Sequence, residues 1–307
     1  MEEVRLQLKW VHQAQFAGFY IAQAQGYYEQ ENIKVNFLEG GKGIDPAQQL
    51  ISGKADFAVM GPESLIIKRS EGVPLVAVAA IYRRSAVVLA ARQDSGIERP
   101  RDFLGKTVAA GGDKSGIRDL QVLFNALMKK LQVDISQIDI VAYDPTYEGF
   151  FKGDVDVTPL YYTGGVIKMR DQGLTPNLIW PSDYGTRFYS DILAVTAAMV
   201  QEKPDLVARF VRASLKGWQD IVGNFDQAVR IVLKYARIKD PELQKAMMEA
   251  MLPLVHTGRD NIGTMKPEIW QHMYDILREQ GLLAHAFDVR HAYTLEFLKE
   301  TDTGSRK

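Results

Sequence analysis

Apolar positions along the chain switch repeatedly between two periods. Leu6, Leu8 and Trp10 alternate as in a half-buried strand, and from Phe16 to Tyr28 the spacing becomes helical through Phe16, Phe19, Tyr20 and Tyr27. Asn32 ends that pattern, after which Ile33, Val35 and Phe37 alternate as a second strand. A loop, Gly40-Gly41-Lys42-Gly43, is closed by Asp45 and Pro46, the residue types that cap a helix and fill its first position. A short buried strand is predicted over 55–59. A helix opening at Gly61-Pro62-Glu63-Ser64 and two β-rich apolar runs at 75–81 and 86–91 follow. At Arg92 the texture turns polar (Gln93-Asp94-Ser95-Gly96), and a lobe boundary is placed there.

A second unit repeats the design, with a strand over 107–110, a Gly111-Gly112 loop, a helix from about 115 to 130 and a strand over 138–143. Leu50-Ile51-Ser52-Gly53-Lys54-Ala55-Asp56-Phe57 lines up with Phe150-Phe151-Lys152-Gly153-Asp154-Val155-Asp156-Val157, and Lys68 with Lys168. Two readings stand: the ordinary recurrence of helix, glycine cap and strand, or two lobes of one design. Beyond 193–196 the pattern is almost wholly helical, with prolines at Pro204, Pro241 and Pro267 in first turns and Gly281 as a stop. Strands alternating with helices predict an α/β fold with mostly parallel sheets. The expected lobes are 1–91 with 196–307, and 92–195.

Composition narrows the function classes. At 307 residues the chain exceeds what one core usually organises, which fits two lobes. Thirty-seven basic against 38 acidic residues leave a net charge of -1, without the clustered basic footprint that nucleic acid requires. The absence of cysteine removes disulfides, thiolate nucleophiles and Cys-ligated metals together. The five histidines show no ligand spacing, so no metal is expected. No apolar run approaches the length of a membrane span. Nucleophile-elbow, Walker A and G-x-G-x-x-G motifs are missing. Gly111-Gly112-Asp113-Lys114-Ser115-Gly116 reads either as a turn with an N-cap or as backbone N–H groups offered to an anion or a polar edge, with Asp113 and Ser115 as candidates.

What remains is a surplus of aromatic and short polar side chains at strand ends, where open α/β sheets bind ligands. Trp10, Gln13, Gln15, Phe16, Glu63, Ser64, Tyr82, Tyr161, Tyr162, Trp180, Tyr184, Tyr189 and Asp191 are the candidates. As a set they favour a flat, partly polar ring held by stacking. Trp10 is the expected stacking wall, with Tyr184 or Tyr189 of the second lobe opposite it, and Glu63 and Asp191 are the expected acceptors. Glu63 reads equally as a first-turn acid of its helix.

Leu8-Lys9-Trp10, Ala17-Gly18-Phe19-Tyr20-Ile21-Ala22, Gly26-Tyr27-Tyr28 and Ser52-Gly53-Lys54-Ala55-Asp56-Phe57-Ala58 resemble motifs of the ABC-transporter solute-binding proteins for thiamin pyrimidine precursors and riboflavin. Glu71-Gly72-Val73-Pro74, Asp102-Phe103-Leu104-Gly105-Lys106, Asp183-Tyr184-Gly185 and Phe188-Tyr189-Ser190-Asp191 continue the resemblance over nearly the whole chain. It implies a type II periplasmic-binding-protein fold, two α/β lobes joined by two crossovers and closing on ligand. It further implies a monomer acting outside the cytoplasm, its signal segment absent from this sequence, that delivers an aromatic heterocycle to a permease. The chain also resembles the fungal-type pyrimidine synthase, which consumes its own histidine and pyridoxal phosphate. Aligning the two places Met60 and Ser64 where that enzyme carries its lysine and histidine, and its cysteine loop falls near 186–190, where this chain has none. No catalytic residue and no cofactor are therefore expected. Many binding members carry Asn-Glu after the second-lobe tyrosine loop, whereas Tyr161-Tyr162-Thr163 here runs into Gly164-Gly165. That leaves room for a flavin, and riboflavin and a thiamin pyrimidine precursor both stay open.

Overall fold

The computed structural model describes residues 1–112, 118–258 and 260–301. The chain divides into two compact units, 1–84 with 189–307 and 85–188.

The first pass through unit 1 runs β1 (Glu2–Gln7), α1 (Ala17–Ala24), α2 (Tyr27–Gln30), β2 (Ile33–Leu38), α3 (Pro46–Ile51), β3 (Phe57–Met60), α4 (Pro62–Ser70) and β4 (Leu75–Ala80). β1 stops at Gln7, short of the Leu6, Leu8, Trp10 alternation, so Trp10 lies in the loop beyond the strand. The single helix expected over Phe16 to Tyr28 is broken into a 3-10 turn (Ala14–Phe16), α1 and α2. Gly26, in the left-handed region at φ 71°, makes the second break. Asp45 caps α3 as its sequence implies, its carboxylate accepting from the Ala47 N–H at 2.9 Å.

Unit 2 contains β5 (Val87–Ala91), β6 (Thr107–Gly111), α5 (Arg118–Lys130), β7 (Asp139–Ala142), α6 (Glu148–Lys152), β8 (Val157–Tyr161), α7 (Ile167–Asp171) and β9 (Asn177–Ile179). One π-helical turn, Tyr162–Val166, links β8 to α7. Alternate residues of the strands pack on opposite faces, Leu89, Ala91 and Val157 under α5 and Val88, Ala90 and Leu160 with α6 and α7, so both faces are covered.

The chain returns to unit 1 with β10 (Ile192–Thr196), α8 (Ala197–Glu202), α9 (Pro204–Gly223), α10 (Phe225–Tyr235), α11 (Pro241–Val255) and α12 (Pro267–Glu279). Proline occupies the first turn of α9, α11 and α12, and Gly281 follows α12 at φ 70°, as the sequence pattern predicts. α9 is held hard against α1. A Cβ on Gly18 would stand 2.1 Å from the Trp218 ring, and one on Gly217 would stand 2.1 Å from the Gly18 carbonyl. Only glycine at both positions allows this approach, which fixes the helix that follows the Gln13–Gln15 segment.

Both sheets are five-stranded and mixed, ordered β2-β1-β3-β10-β4 and β7-β6-β8-β5-β9. In each, one antiparallel strand, β10 or β5, sits among parallel ones. The unit limits differ from the sequence expectation by one strand at each passage. β5, expected in the first lobe, pairs with β8 and β9 in unit 2, while β10, expected in the second, pairs with β3 and β4 in unit 1. The polar segment after β5 is a local turn and not a passage: Arg92 there bonds Asp94 and the Phe150 carbonyl, both within unit 2.

Candidate functional site

The carboxyl ends of β1, β3 and β4 lie along one edge of the unit 1 sheet, and the start of the antiparallel β10 brings Asp191 to the same edge. The Asp191 carbonyl accepts from the Ile81 and Tyr82 N–H groups just past β4, at 2.8 and 3.0 Å. Its side chain is 1% exposed, and a carboxylate so buried needs partners. Gln15 Nε2 donates to Oδ2 at 2.6 Å, and Lys9 Nζ stands 3.6 Å from Oδ1. Gln13 Nε2 donates in turn to Gln15 Oε1 at 2.8 Å, so Gln13, Gln15 and Asp191 form a directed chain of donors ending on a charge. The Tyr82 hydroxyl, wholly buried, reaches the Gln15 carbonyl at 3.4 Å. Burial pushes it well above the usual phenol range, with Asp191 adding to the shift and Lys9 opposing it. Tyr82 therefore stays neutral, its hydroxyl proton directed at the Gln15 carbonyl.

Glu63 sits in the first turn of α4 and is buried, its carboxylate folded back over Gly61, where a Cβ would stand 2.1 Å from Oε1. Ser64 Oγ donates to the same oxygen at 3.1 Å. Glu63 thus lies at the helix start and at the strand-end edge at once, so both readings of it describe one position. Trp10, in the loop after β1, is 39% exposed. An indole left open next to a buried polar network offers a flat face and an N–H donor.

Three candidates belong instead to the core. Phe16 is fully buried, because the 3-10 turn carrying Gln13 and Gln15 to the edge points its last residue inward. Tyr189, expected in the second lobe, lies in unit 1; it is 2% exposed, its hydroxyl accepts from the Lys266 N–H at 2.8 Å and its ring is 6.1 Å from Trp270. Tyr184 packs on the α5 face of the unit 2 core, and the Gly185 carbonyl beside it accepts from Lys130 at the last turn of α5. The Tyr189 ring is thus enclosed by packing, while Tyr184 rests half-buried on its core.

In unit 2, Tyr161 ends β8 and Tyr162 opens the π-helical turn, its ring 5.1 Å from Trp180 at the end of β9. Both tyrosines are half-buried, and Tyr162 packs on the α6 and α7 face with Trp180. A Cβ on Gly164 would meet nothing within 4 Å, so the space the Gly164-Gly165 pair implies is present at Gly164, whereas Gly165 is closed in by the Tyr147 hydroxyl at 2.8 Å. Asp113 and Ser115 lie outside the described residues. Among the described residues no cluster of three or more ligating side chains could hold a metal, and no helix is long and apolar enough to cross a membrane.

Lys9 is a further candidate, beside Asp191, that sequence reasoning does not single out although it lies inside the Leu8-Lys9-Trp10 motif. Its signal is a basic residue two positions past β1, between the buried Leu8 and an exposed tryptophan.

The chain is 28% identical over 97% of its length, and 86% of the relative's, to the riboflavin-binding protein RibY of Chloroflexus aurantiacus. It is 25% identical to the formylaminopyrimidine-binding protein of Halalkalibacterium halodurans, over 89% of this chain and 84% of that one. A 4-amino-5-hydroxymethyl-2-methylpyrimidine phosphate synthase of Legionella pneumophila is 22% identical over 97% of this chain and 93% of its own. Among solved structures, the periplasmic aliphatic sulphonate binding protein SsuA of Escherichia coli superposes with a TM-score of 0.76 at 16% identity, covering 95% of this chain and 92% of that one. That likeness identifies the periplasmic-binding-protein fold. The NMT1/THI5-like family model matches residues 13–228, well over half of the sequence, and the chain belongs to the NMT1/THI5-like family.

Proposed function

We propose that this protein is a non-catalytic solute-binding component of an ABC importer, acting outside the cytoplasm. It captures a flat nitrogenous aromatic compound, riboflavin or a thiamin pyrimidine precursor, and hands it to a permease. The observation that carries this reading is the unit 1 edge itself: an exposed Trp10 in the same segment as Lys9, Gln13 and Gln15, whose side chains lead to the buried Asp191 carboxylate. An apolar face next to paired donors and acceptors suits a ring that is apolar above and below and polar at its rim. The names of the riboflavin-binding and formylaminopyrimidine-binding relatives support this ligand class. Gly164, with open space where a side chain would stand, favours the larger flavin.

A second reading, a pyrimidine synthase, draws on the relative of that name. Met60 and Ser64 argue against it. Met60 ends β3 at 1% exposure with no amine to offer, and the Ser64 hydroxyl is engaged with Glu63. Protein purified without refolding should carry a flavin's visible absorbance or bind added riboflavin at one site by calorimetry. Binding of formylaminopyrimidine alone would select the smaller ligand. Binding of neither, with a stoichiometric adduct after pyridoxal phosphate and borohydride, would replace this reading by the enzymatic one.

A further inference from the structure

Between β1 and α1, segment 9–15 carries Lys9, Trp10, Gln13 and Gln15, yet residues 9–13 have no regular structure of their own and only the short 3-10 turn follows them. The segment's backbone is held from outside, by elements distant in sequence. The Gly40 N–H donates to the Trp10 carbonyl at 3.0 Å, Glu39 accepts from the His12 N–H at 3.0 Å, and the Arg237 N–H donates to the His12 carbonyl at 2.8 Å. At the far end the Ala14 N–H donates to Gln244 Oε1 at 2.8 Å.

Two of these contacts leave no slack. A Cβ on Gly40 would stand 2.3 Å from the Leu8 carbonyl oxygen and 2.7 Å from both the Lys9 carbonyl carbon and the Trp10 nitrogen. All three are backbone atoms, so any side chain there must push the segment away. Gln244 is 1% exposed on α11, 230 residues from Ala14, and its Nε2 donates to the Ile238 carbonyl at 3.0 Å. With a donor on one side and an acceptor on the other, its amide orientation is determined and both ends are used. Gln7, 2% exposed, closes the near end, its Nε2 reaching the Leu8, Leu38 and Glu39 carbonyls at 2.9, 3.2 and 3.2 Å.

We propose that Gly40 and Gln244 are positioning residues of the ligand site, setting its affinity by fixing the backbone of the segment that carries Lys9, Trp10 and Gln15. This rests on the proposed function, in which those side chains meet the ligand. A loop so pinned presents its side chains already in place, and ligand then loses less conformational freedom on binding.

The test labels the protein with 5-fluorotryptophan and assigns the Trp10 fluorine resonance by its loss in Trp10→Phe. Gly40→Ala and Gln244→Met are then compared with wild type, without ligand and in titration with riboflavin and with formylaminopyrimidine. Either variant should move the Trp10 resonance, leave those of Trp218 and Trp270 in place, and weaken binding by about tenfold, the scale of one or two lost hydrogen bonds. An unmoved Trp10 resonance overturns the clamp. A moved resonance with unchanged affinity overturns its role in binding, and movement of all the tryptophan resonances reduces it to general packing. Gln244→Met decides the matter if Gly40→Ala fails to fold. Wild-type protein that binds neither probe overturns the proposed function and the affinity role with it, while the ligand-free Trp10 resonance separately reports whether the clamp exists.

Discussion

The two units share a scaffold down to single hydrogen bonds and part company only at the strand ends. Strand order and direction correspond throughout: β2, β1, β3, β10 and β4 of one sheet match β7, β6, β8, β5 and β9 of the other. Asp56 accepts from the Arg5 N–H at 2.8 Å while its own N–H donates to the Arg5 carbonyl, and Asp156 does the same with Thr107 at 3.0 Å. Gly53 and Gly153, before these aspartates, both adopt positive φ. One hundred residues therefore separate equivalent positions on β3 and β8, and beyond the strands the chemistry diverges. Glu63 corresponds to Thr163 and Ser64 to Gly164. By register, Met60 pairs with Ile192 and Leu160 with Val88, so Asp191 corresponds to Val87. Unit 1 has charged, hydrogen-bonded edge positions where unit 2 has neutral ones beside tyrosines and Trp180. The lesson is that a repeated sheet supplies the edge, and a few residues beyond it supply the specificity.

The sharpest way to break this comparison is to transplant its key residue. Val87 is 1% exposed, and Val87→Asp would bury a carboxylate without the lysine and glutamine that surround Asp191. The cost should reach about 3–5 kcal/mol, the scale for an uncompensated buried charge. Asp191→Leu removes an acceptor from Gln15 and a counter-ion from Lys9. Because Lys9 keeps some access to solvent, its stability cost should be smaller, about 2 kcal/mol. Urea unfolding of the two variants measures both, and a Val87→Asp protein as stable as wild type would show that the edges tolerate charge alike.

Ligand binding should separate the units next. Trp10→Ala is expected to lose about 1–3 kcal/mol of riboflavin binding through lost burial and stacking, with circular dichroism unchanged because the indole is exposed. Tyr162→Ala, whose ring is already engaged with Trp180, should lose less. Equal losses in calorimetric titrations would mean that both edges take part equally.

The scaffold was far more legible in the sequence than the site. Period-two and helical spacing mark the strands and the capped helices because burial on one face imposes them directly, whereas the repeat over 50–57 and 150–157 leaves a common design as one of two readings until strand order and the Asp56 and Asp156 bonds favour it. The unit limits were missed because β5 and β10 are apolar runs that fit either sheet equally well, and only strand pairing decides between them. Trp10, Gln13, Glu63 and Asp191 stand out in the sequence because polar or exposed residues at strand ends break the pattern, and the structure places Glu63 and Asp191 at the unit 1 strand ends with Trp10 and Gln13 in the loop after β1. Phe16 and Tyr189 turn out buried and Tyr184 half-buried, since an aromatic side chain at a strand end carries no sequence mark of whether it turns inward. Lys9 and Gln244 were passed over for the opposite reason: their roles depend on partners 182 and 230 residues away.

A smaller effect tests the shared scaffold. Asp56→Asn and Asp156→Asn each weaken a bond to the N–H of a neighbouring parallel strand and should each cost about 1 kcal/mol. Burial raises the Asp56 carboxyl, but its bonds to the Arg5 side chain and backbone outweigh that and leave it below the usual range. The Asp56 contribution is therefore full above the ordinary carboxylate pKa and is lost as pH falls through the lower folded value. Chemical unfolding of both variants near neutrality should give matching losses, and a loss confined to one of them would limit the equivalence of the units to topology.

The smallest expected effect comes from a group that only unit 1 possesses. All five histidines fall in unit 1, and His12 lies within the Trp10 segment, its Nδ1 2.8 Å from the Tyr20 hydroxyl. Burial lowers its pKa from the ordinary value of 6.5, with Glu39 opposing the shift and Lys239 adding to it. Below 6.5 the unfolded chain therefore takes up a proton that the folded chain still refuses, so stability is full above 6.5 and falls as pH drops through that value towards the folded pKa. Protonation also places a positive charge in the half-buried contact between Nδ1 and the Tyr20 hydroxyl that ties the segment to α1, just where ligand is expected to bind. Proton NMR of the His12 ring should give a midpoint below 6.5, and riboflavin affinity should decline over the same range in wild type but not in His12→Gln. A midpoint at or above 6.5 would reverse the sign of the argument and leave the two edges equally indifferent to pH.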